Sequence, residues 1–334
     1  MTKHIARLLL VIGACLPVIF CSQPREKLYI EARSAPLAGE IVTVKAVAAD
    51  KTIATDAADA GIAAAERWDA VLDRHKEENR RWMQAPTPLA PISYDPAMTE
   101  ILELAFGLAI KTGGLFNPLV APLTERYELG EWIDDAQLSQ LMPLLDLKGL
   151  AWDKSAHQLL FKLNGMGLDL DAIAQGYIAD KCLTAMLAAG ASSALADVGG
   201  EVAVSGTRHD RSPWRVGIAI GREADGISEA VAITHGAVAV SSDLYKPMII
   251  GGKYYSQIID PRTGRPAAWS GMVATYAANA ATADAWATAL FAAGPQQGVE
   301  LARQNGIVAR WWNPKGELVA ETGDFPPPLK NNQP

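Results

Sequence analysis

Asp284 and Thr288, four residues apart, carry the strongest chemical signal in the chain. They lie in an alanine-rich stretch of helical period, which sets them one turn apart on a single helix face. A carboxylate and a hydroxyl so arranged can hold a hard, oxygen-seeking cation such as Mg²⁺. Upstream lies a polar turn, Asp260-Pro261-Arg262-Thr263-Gly264-Arg265-Pro266. Each piece also has a plainer reading. Asp-Pro-x-Thr-Gly makes a turn without any ligand, and an acid in the first turn of a helix complements the helix dipole. The pair needs a third ligand and an anionic substrate before it defines a site.

The middle of the chain offers candidates for both. GLDLDAIAQGYIADKCLTAMLAAG contains an acidic turn, Asp169-Leu170-Asp171, that runs into a helix carrying Gly176 and ending at Gly190. ALADVGGEVAVSG reads as a short apolar strand opening onto Gly199-Gly200, and TGGLFNPLVAPL occupies residues 112–123. This ordered set resembles the ApbE family of FAD:protein FMN transferases. The family pattern has Thr-Gly-Gly-x-Phe-Asp-Pro, Asp-Leu-Gly-x-Ile-Ala-Lys-Gly-Tyr and Gly-Gly-Asp. Ser-Gly-Asp-Tyr, His-Ile-Ile-Asp-Pro-x-Thr-Gly and Asp-Ala-x-Ala-Thr follow. The matching segments here keep that order between residues 36 and 310, and the match is thin before residue 97.

The resemblance implies a metal site made of Asp284, Thr288 and the main-chain carbonyl of Ala172, with Mg²⁺ as the ion. It implies that Asp169, Gln175 and Ile258 contact FAD, the substrate, and that Leu115, Phe116 and Asn117 border the flavin. Ala38, in an Ala-Gly-Glu that stands for the family's N-terminal Met-Gly-Thr, completes the flavin-binding set. Phe116 as a core residue and Asn117 as a turn former before Pro118 remain the plain alternatives. Gly199-Gly200 reads either as a hairpin turn or as a backbone nest for a ligand.

Departures from the pattern bear on the chemistry. Gln175 replaces Lys, Asn117 replaces Asp, Asp171 replaces Gly, Glu201 replaces Asp, and Ser242 replaces the Gly ahead of Tyr245. Gln257 occupies the position of the family His, a plausible proton acceptor, and an amide cannot take a proton. His75 and His235, the only histidines near motifs, read as solvated surface residues.

Elements to position these residues follow from pattern. A long helix is expected over Ala54–Met83, then an extended proline-rich connection over 86–96. Asp95 and Pro96 start a second helix that stops at Gly113-Gly114. Strands are expected at 147–152 and 157–163, then a helix over 171–189. Further strands follow at 194–198, 201–205, 214–220, 228–233, 237–241, 246–250, 254–259 and 270–277. Helices near 282–292 and 296–304 precede a last strand pair, 307–312 and 316–320. The fold class is α+β, and the resemblance implies one mixed, single-lobed domain over 36–322 with the flavin in a cleft between two halves.

The 334 residues are 49% hydrophobic and 20% charged, ordinary globular composition, with net charge −7. No basic cluster exceeds Arg80-Arg81, which argues against nucleic-acid binding. Lys3 and Arg7 precede an apolar run over 8–20, so residues 1–24 read as a secretory or lipoprotein signal, with Cys15 and Cys21 as candidate lipidation sites. Export to the periplasm follows, with an anchor at the inner membrane left open. Cys182 alone remains after the signal, so no intramolecular disulfide is expected. The tail over 323–334, with its FPPPLKNNQP, is expected to be disordered. The leading function is Mg²⁺-dependent transfer of FMN from FAD to a Ser or Thr of a membrane or periplasmic electron-transfer protein, with release of AMP. The alternatives are hydrolysis of FAD to FMN and AMP, and flavin binding without turnover.

Overall fold

The structure is a computed structural model that describes residues 27–37, 40–84, 88–220, 229–244 and 247–329. The signal segment with Cys15 and Cys21, the flavin candidate Ala38, and Tyr245 lie outside the described residues. In chain order the first half holds β1 (Tyr29–Leu37), β2 (Glu40–Ala48), α1 (Lys51–Leu72), α2 (Glu77–Met83), β3 (Ile92–Ser93), α3 (Thr99–Lys111), α4 (Ala121–Glu128) and α5 (Asp135–Leu141). Next come β4 (Leu150–Asp153), β5 (Gln158–Phe161), α6 (Asp171–Ala188), β6 (Ser193–Val198), β7 (Glu201–Ser205), β8 (Trp214–Ile218), β9 (Glu229–Ile233) and β10 (His235–Ser242). The chain closes with β11 (Met248–Ile250), β12 (Lys253–Tyr255), β13 (Ile259–Asp260), β14 (Arg265–Pro266), β15 (Met272–Ala277), α7 (Ala280–Asn305), β16 (Val308–Trp312) and β17 (Leu318–Thr322).

Eight strands form one sheet in the order β1-β2-β6-β7-β10-β15-β16-β17. Every neighbouring pair is antiparallel. Alternation along the strands sends residues to two different cores. Val42, Val44, Ala46, Ala194, Ala196, Ala203 and Val273 face one side, where α1, α6 and α7 pack. Val47, Leu195, Val202, Val204, Met272 and Ala274 face the other, where the β8–β9 hairpin brings Trp214, Val216 and Val231. Alanines dominate the helix side of the central strands, so the helices can lie close to the sheet. A third, smaller cluster joins Leu123, Tyr127, Leu138, Ile250 and Ile259 from α4, α5, β11 and β13. It stands opposite the helix layer and makes the second half of the cleft.

α6 and α7 meet at a glycine. A Cβ on Gly176 would lie 2.3 Å from the Ala280 carbonyl oxygen, so only glycine admits this crossing. Asp180 then caps the start of α7, accepting from the Ala280 and Ala281 N–H groups at 2.8 and 2.9 Å. The two expected C-terminal helices are the two arms of α7, which bends at Gly294 (φ 66°, ψ 169°) before Pro295. Asp95 caps the short turn leading into α3, with its carboxylate accepting from the Ala97 N–H.

Several expectations need correction. The single helix over Ala54–Met83 is two helices, because the Asn79 amide donates to the Ala70 and Asp73 carbonyls and ends α1 early. β1 and β2 add to the expected strands: β1 is an edge strand only half buried, and charged Glu31 and Arg33 on its more buried face hide the alternation from the sequence. α4 and α5 add to the expected helices; each is under nine residues, too short for a period to stand out along the chain. The tail is ordered at its start: Phe325 is buried against Arg310, and the Leu329 N–H donates to the Ala230 carbonyl at 2.7 Å. Cys182 is fully buried, and burial pushes its thiol up to about 12.

Candidate active site

A cleft of about 740 Å³ lies between the helix layer and the smaller cluster. Asp284 sits one turn into α7 with 6% of its surface exposed, and its Oδ2 accepts from the Gly176 N–H at 3.0 Å. In a regular helix that N–H belongs to the carbonyl four residues back, which is Ala172. Sharing it with Asp284 leaves the Ala172 oxygen with capacity for another partner. Thr288 follows one turn later, its hydroxyl 3.2 Å from that of Ser241 on β10. Burial first, then Asp180 and Asp171, push the Asp284 carboxyl up to about 7.

Glu201, first residue of β7, lines the same cleft. Burial and the nearby Asp284 raise its carboxyl far above the usual range, and its Oε2 has no hydrogen-bond partner among the described residues. Gly199 and Gly200 precede it with φ of 64° and 102°, a left-handed pair that reverses the chain between β6 and β7. A Cβ on Gly199 would come within 3.2 Å of the Gln175 amide, so Gln175 lies directly over the turn.

The acidic turn is built around a buried cation. Arg74, 7% exposed, donates through Nε to Asp171 at 2.8 Å and pairs with Glu128, while Asp169 lies 3.7 Å away. These carboxylates raise its pKa further. Asp169 is held by the Thr124 hydroxyl at 2.7 Å and by the Asp171 N–H at 3.0 Å. Burial first, then Asp169, push Asp171 up to about 6, although 57% of its side chain is open and solvent screens part of that effect.

The opposite wall is made of turns that satisfy themselves. The Asn117 amide donates to the Leu145 carbonyl, and its oxygen accepts from the Leu119 N–H, both at 2.9 Å. Phe116 is 2% exposed and belongs to the main core, so it backs the wall. Asp260 holds Arg262 at 2.7 and 3.0 Å and receives the Arg262 N–H, which commits its carboxylate to the turn. The Tyr127 hydroxyl donates to the Gly264 carbonyl at 2.8 Å and fastens this turn to α4. Gln257 is exposed at the cleft, between buried Ser256 and half-buried Ile258.

A sequence model of the ApbE family matches residues 38–311. The chain belongs to the ApbE family. The FAD:protein FMN transferase of Salmonella typhimurium is 30% identical over 239 residues, covering 69% of this chain and 68% of that protein. The one from Rhodobacter capsulatus is 33% identical over 230 residues, covering 64% of this chain and 42% of that protein. Among solved structures, the ApbE protein of Thermotoga maritima superposes with a TM-score of 0.77 at 23% identity, over 87% of this chain and 96% of that one. The apo flavinyl transferase ApbE of Pseudomonas stutzeri gives 0.74 at 24% identity, over 88% and 94%. The mixed α+β architecture in one domain is therefore the ApbE fold.

In this ApbE chain, ten of the sequence-derived site residues line one cleft: Leu115, Phe116, Asn117, Asp169, Ala172, Gln175, Gln257, Ile258, Asp284 and Thr288. His75 and His235 are exposed and do not line it, and among the described residues no histidine does. Arg74, Thr124 and Ser241 join the site only in the folded chain. Arg74 sits in a charged run, 73–81, and nothing in that run distinguishes the one buried cation from its exposed neighbours. The donor set suits a hard divalent ion: a buried carboxylate, a hydroxyl and a helix carbonyl, with buried Glu201 lining the same cleft.

Proposed function

We propose that this chain is a Mg²⁺-dependent FAD:protein FMN transferase acting on a protein outside the cytoplasm. The observation that carries the reading is the convergence of Asp284, Thr288, Ala172, Asp169 and Gln175 on one cleft of an ApbE fold. In the reaction a Ser or Thr hydroxyl of the acceptor forms a new bond to the FMN phosphorus. The pyrophosphate bond to AMP breaks, and the hydroxyl proton is released.

Such a transfer asks the protein mainly for positioning and charge stabilisation. Asp284, Thr288 and the Ala172 carbonyl would hold Mg²⁺, which supplies charge neutralisation on the pyrophosphate. Asp169, fixed by Thr124 and the Asp171 N–H, presents a rigid acceptor to a substrate donor such as a ribose hydroxyl or ring N–H. Gln175 offers an amide over the Gly199-Gly200 turn. Gln257 can orient the incoming hydroxyl by hydrogen bonding but cannot take its proton. Asp260 is bound to Arg262 and turned into its own loop, so it does not serve as the base.

The test incubates the purified chain with FAD, Mg²⁺ and a Thr-bearing domain of a membrane electron-transfer protein, following AMP and protein-bound flavin together. AMP with flavinylated acceptor supports the transferase. AMP alone, matched by free FMN, replaces it with FAD hydrolysis, and neither product leaves a flavin-binding protein. Export rests on residues 1–24, with their basic start and apolar run. Fused to a reporter active only outside the cytoplasm, this segment should give signal, and a silent reporter removes the periplasmic acceptor.

A further inference from the structure

The described residues lining the cleft include six carboxylates, Glu40, Glu128, Asp169, Asp171, Glu201 and Asp284, and no lysine, arginine or histidine. Arg74 serves Glu128, Asp169 and Asp171. Among the described residues, Glu201 and Asp284 have no basic partner, and Asp284 accepts from the Gly176 N–H at 3.0 Å. Glu201 is 6% exposed, and its Oε2 has no hydrogen-bond partner among the described residues. Buried carboxylate oxygens in folded proteins are normally paired or bound to a metal. Two buried acids that share a cleft with a hydroxyl pair, Ser241 and Thr288, 3.2 Å apart, form an arrangement that a cation would complete.

The backbone gives Glu201 a fixed place in that arrangement. It directly follows the left-handed Gly199-Gly200 turn, and its strand β7 pairs with β10, which carries Ser241. Three separate elements, β7, α6 and α7, therefore bring Glu201, Ala172 and Asp284 to one cleft. We propose that Glu201 is a further ligand of the divalent cation, giving this chain a metal centre with two carboxylates, Glu201 and Asp284. The proposal rests on the metal reading above and extends it by one residue.

The experiment titrates Mn²⁺ into the FAD-free protein at pH 8 and reads the loss of the free-ion EPR signal. The wild type should bind Mn²⁺, and Glu201→Gln and Asp284→Asn should each weaken binding by about tenfold or more. In EDTA, Glu201→Gln should melt at or above the wild-type temperature, because the amide removes a like charge from beside Asp284. Glu201→Asp, which keeps the charge, should bind Mn²⁺ more tightly than Glu201→Gln. Wild-type affinity in Glu201→Gln, with loss only in Asp284→Asn, overturns the proposal and leaves the functional reading standing. Equal weakening in Glu201→Asp and Glu201→Gln also overturns it, as does a lower melting temperature in EDTA with unchanged Mn²⁺ affinity. If the wild type binds no Mn²⁺, or neither Glu201→Gln nor Asp284→Asn changes binding, the metal centre itself falls.

Discussion

The two walls of the cleft handle their polar groups in opposite ways. On the helix side, Asp284 and Thr288 are held by elements distant in sequence, and buried Glu201 has an Oε2 with no hydrogen-bond partner among the described residues. On the turn side, Asn117, Ser256 and Asp260 direct their side chains onto backbone two residues ahead, and little hydrogen-bonding capacity remains for a ligand. Local hydrogen bonds make a turn rigid at low cost in long-range packing, but they consume the groups that chemistry would use. Only a wall braced by packed helices and strands can keep a buried carboxylate unsatisfied. The candidate metal-binding groups belong to that wall, and the turns shape the space in front of it.

The sharpest test of the contrast removes charge from the helix wall. Asp284→Asn keeps an oxygen for the Gly176 N–H, so the fold should survive while kcat falls by at least about 10²-fold, since metal stabilisation is worth several kcal/mol. Near wild-type turnover with the same Mg²⁺ requirement would place the metal elsewhere. On the turn wall the corresponding change adds function. Gln257→His should raise transfer by about 10²-fold, and by more at pH 8 than at pH 6, because a proton acceptor of pKa about 6.5 must be neutral. An unchanged rate would show that the proton leaves by another route. Weaker FAD binding would show that Gln257 orients the flavin.

A smaller effect probes the bracing. Gly176→Ala drives a Cβ against the Ala280 carbonyl and should cost about 1–3 kcal/mol by urea denaturation. Gly113→Ala, at φ 63° with open space around its Cβ, should cost about 1 kcal/mol through backbone strain alone. Equal costs at both positions would mean that the helix crossing is loose. Acidity gives the last comparison. The folded Asp284 carboxyl, at about 7, lies above its unfolded value, so the metal-free folded state binds more protons than the unfolded one. Stability in EDTA should therefore fall as pH rises, by on the order of 2 kcal/mol between pH 5 and 8. Excess Mg²⁺ should flatten or reverse that slope, and a rise with pH in EDTA would contradict the burial of this group.

Much of this was already legible in the chain. Asp284 and Thr288 are a pair that helical period alone aligns, and the Asp169 turn, the Gly199-Gly200 reversal and the Asp260–Gly264 turn are short-range features that local sequence encodes. The cap at Asp95 ahead of α3 and the break between the two C-terminal helices, at Gly294 in α7, appear where expected. Tertiary structure decided the rest. Nothing near Arg74 in sequence marks it as the buried partner of residues 54 to 97 positions away, because charge composition looks the same on an exposed helix end. Nor does the residue type of Asn117 tell whether its amide meets a flavin or a neighbouring carbonyl; the fold supplied Leu145. Glu201 was visible as a departure from a pattern, but its burial beside Asp284, without a basic partner among the described residues, depends on three elements packing together. Period and turn chemistry act over a few residues and can be read along the chain. Burial and charge balance are sums over neighbours that only the folded chain assembles.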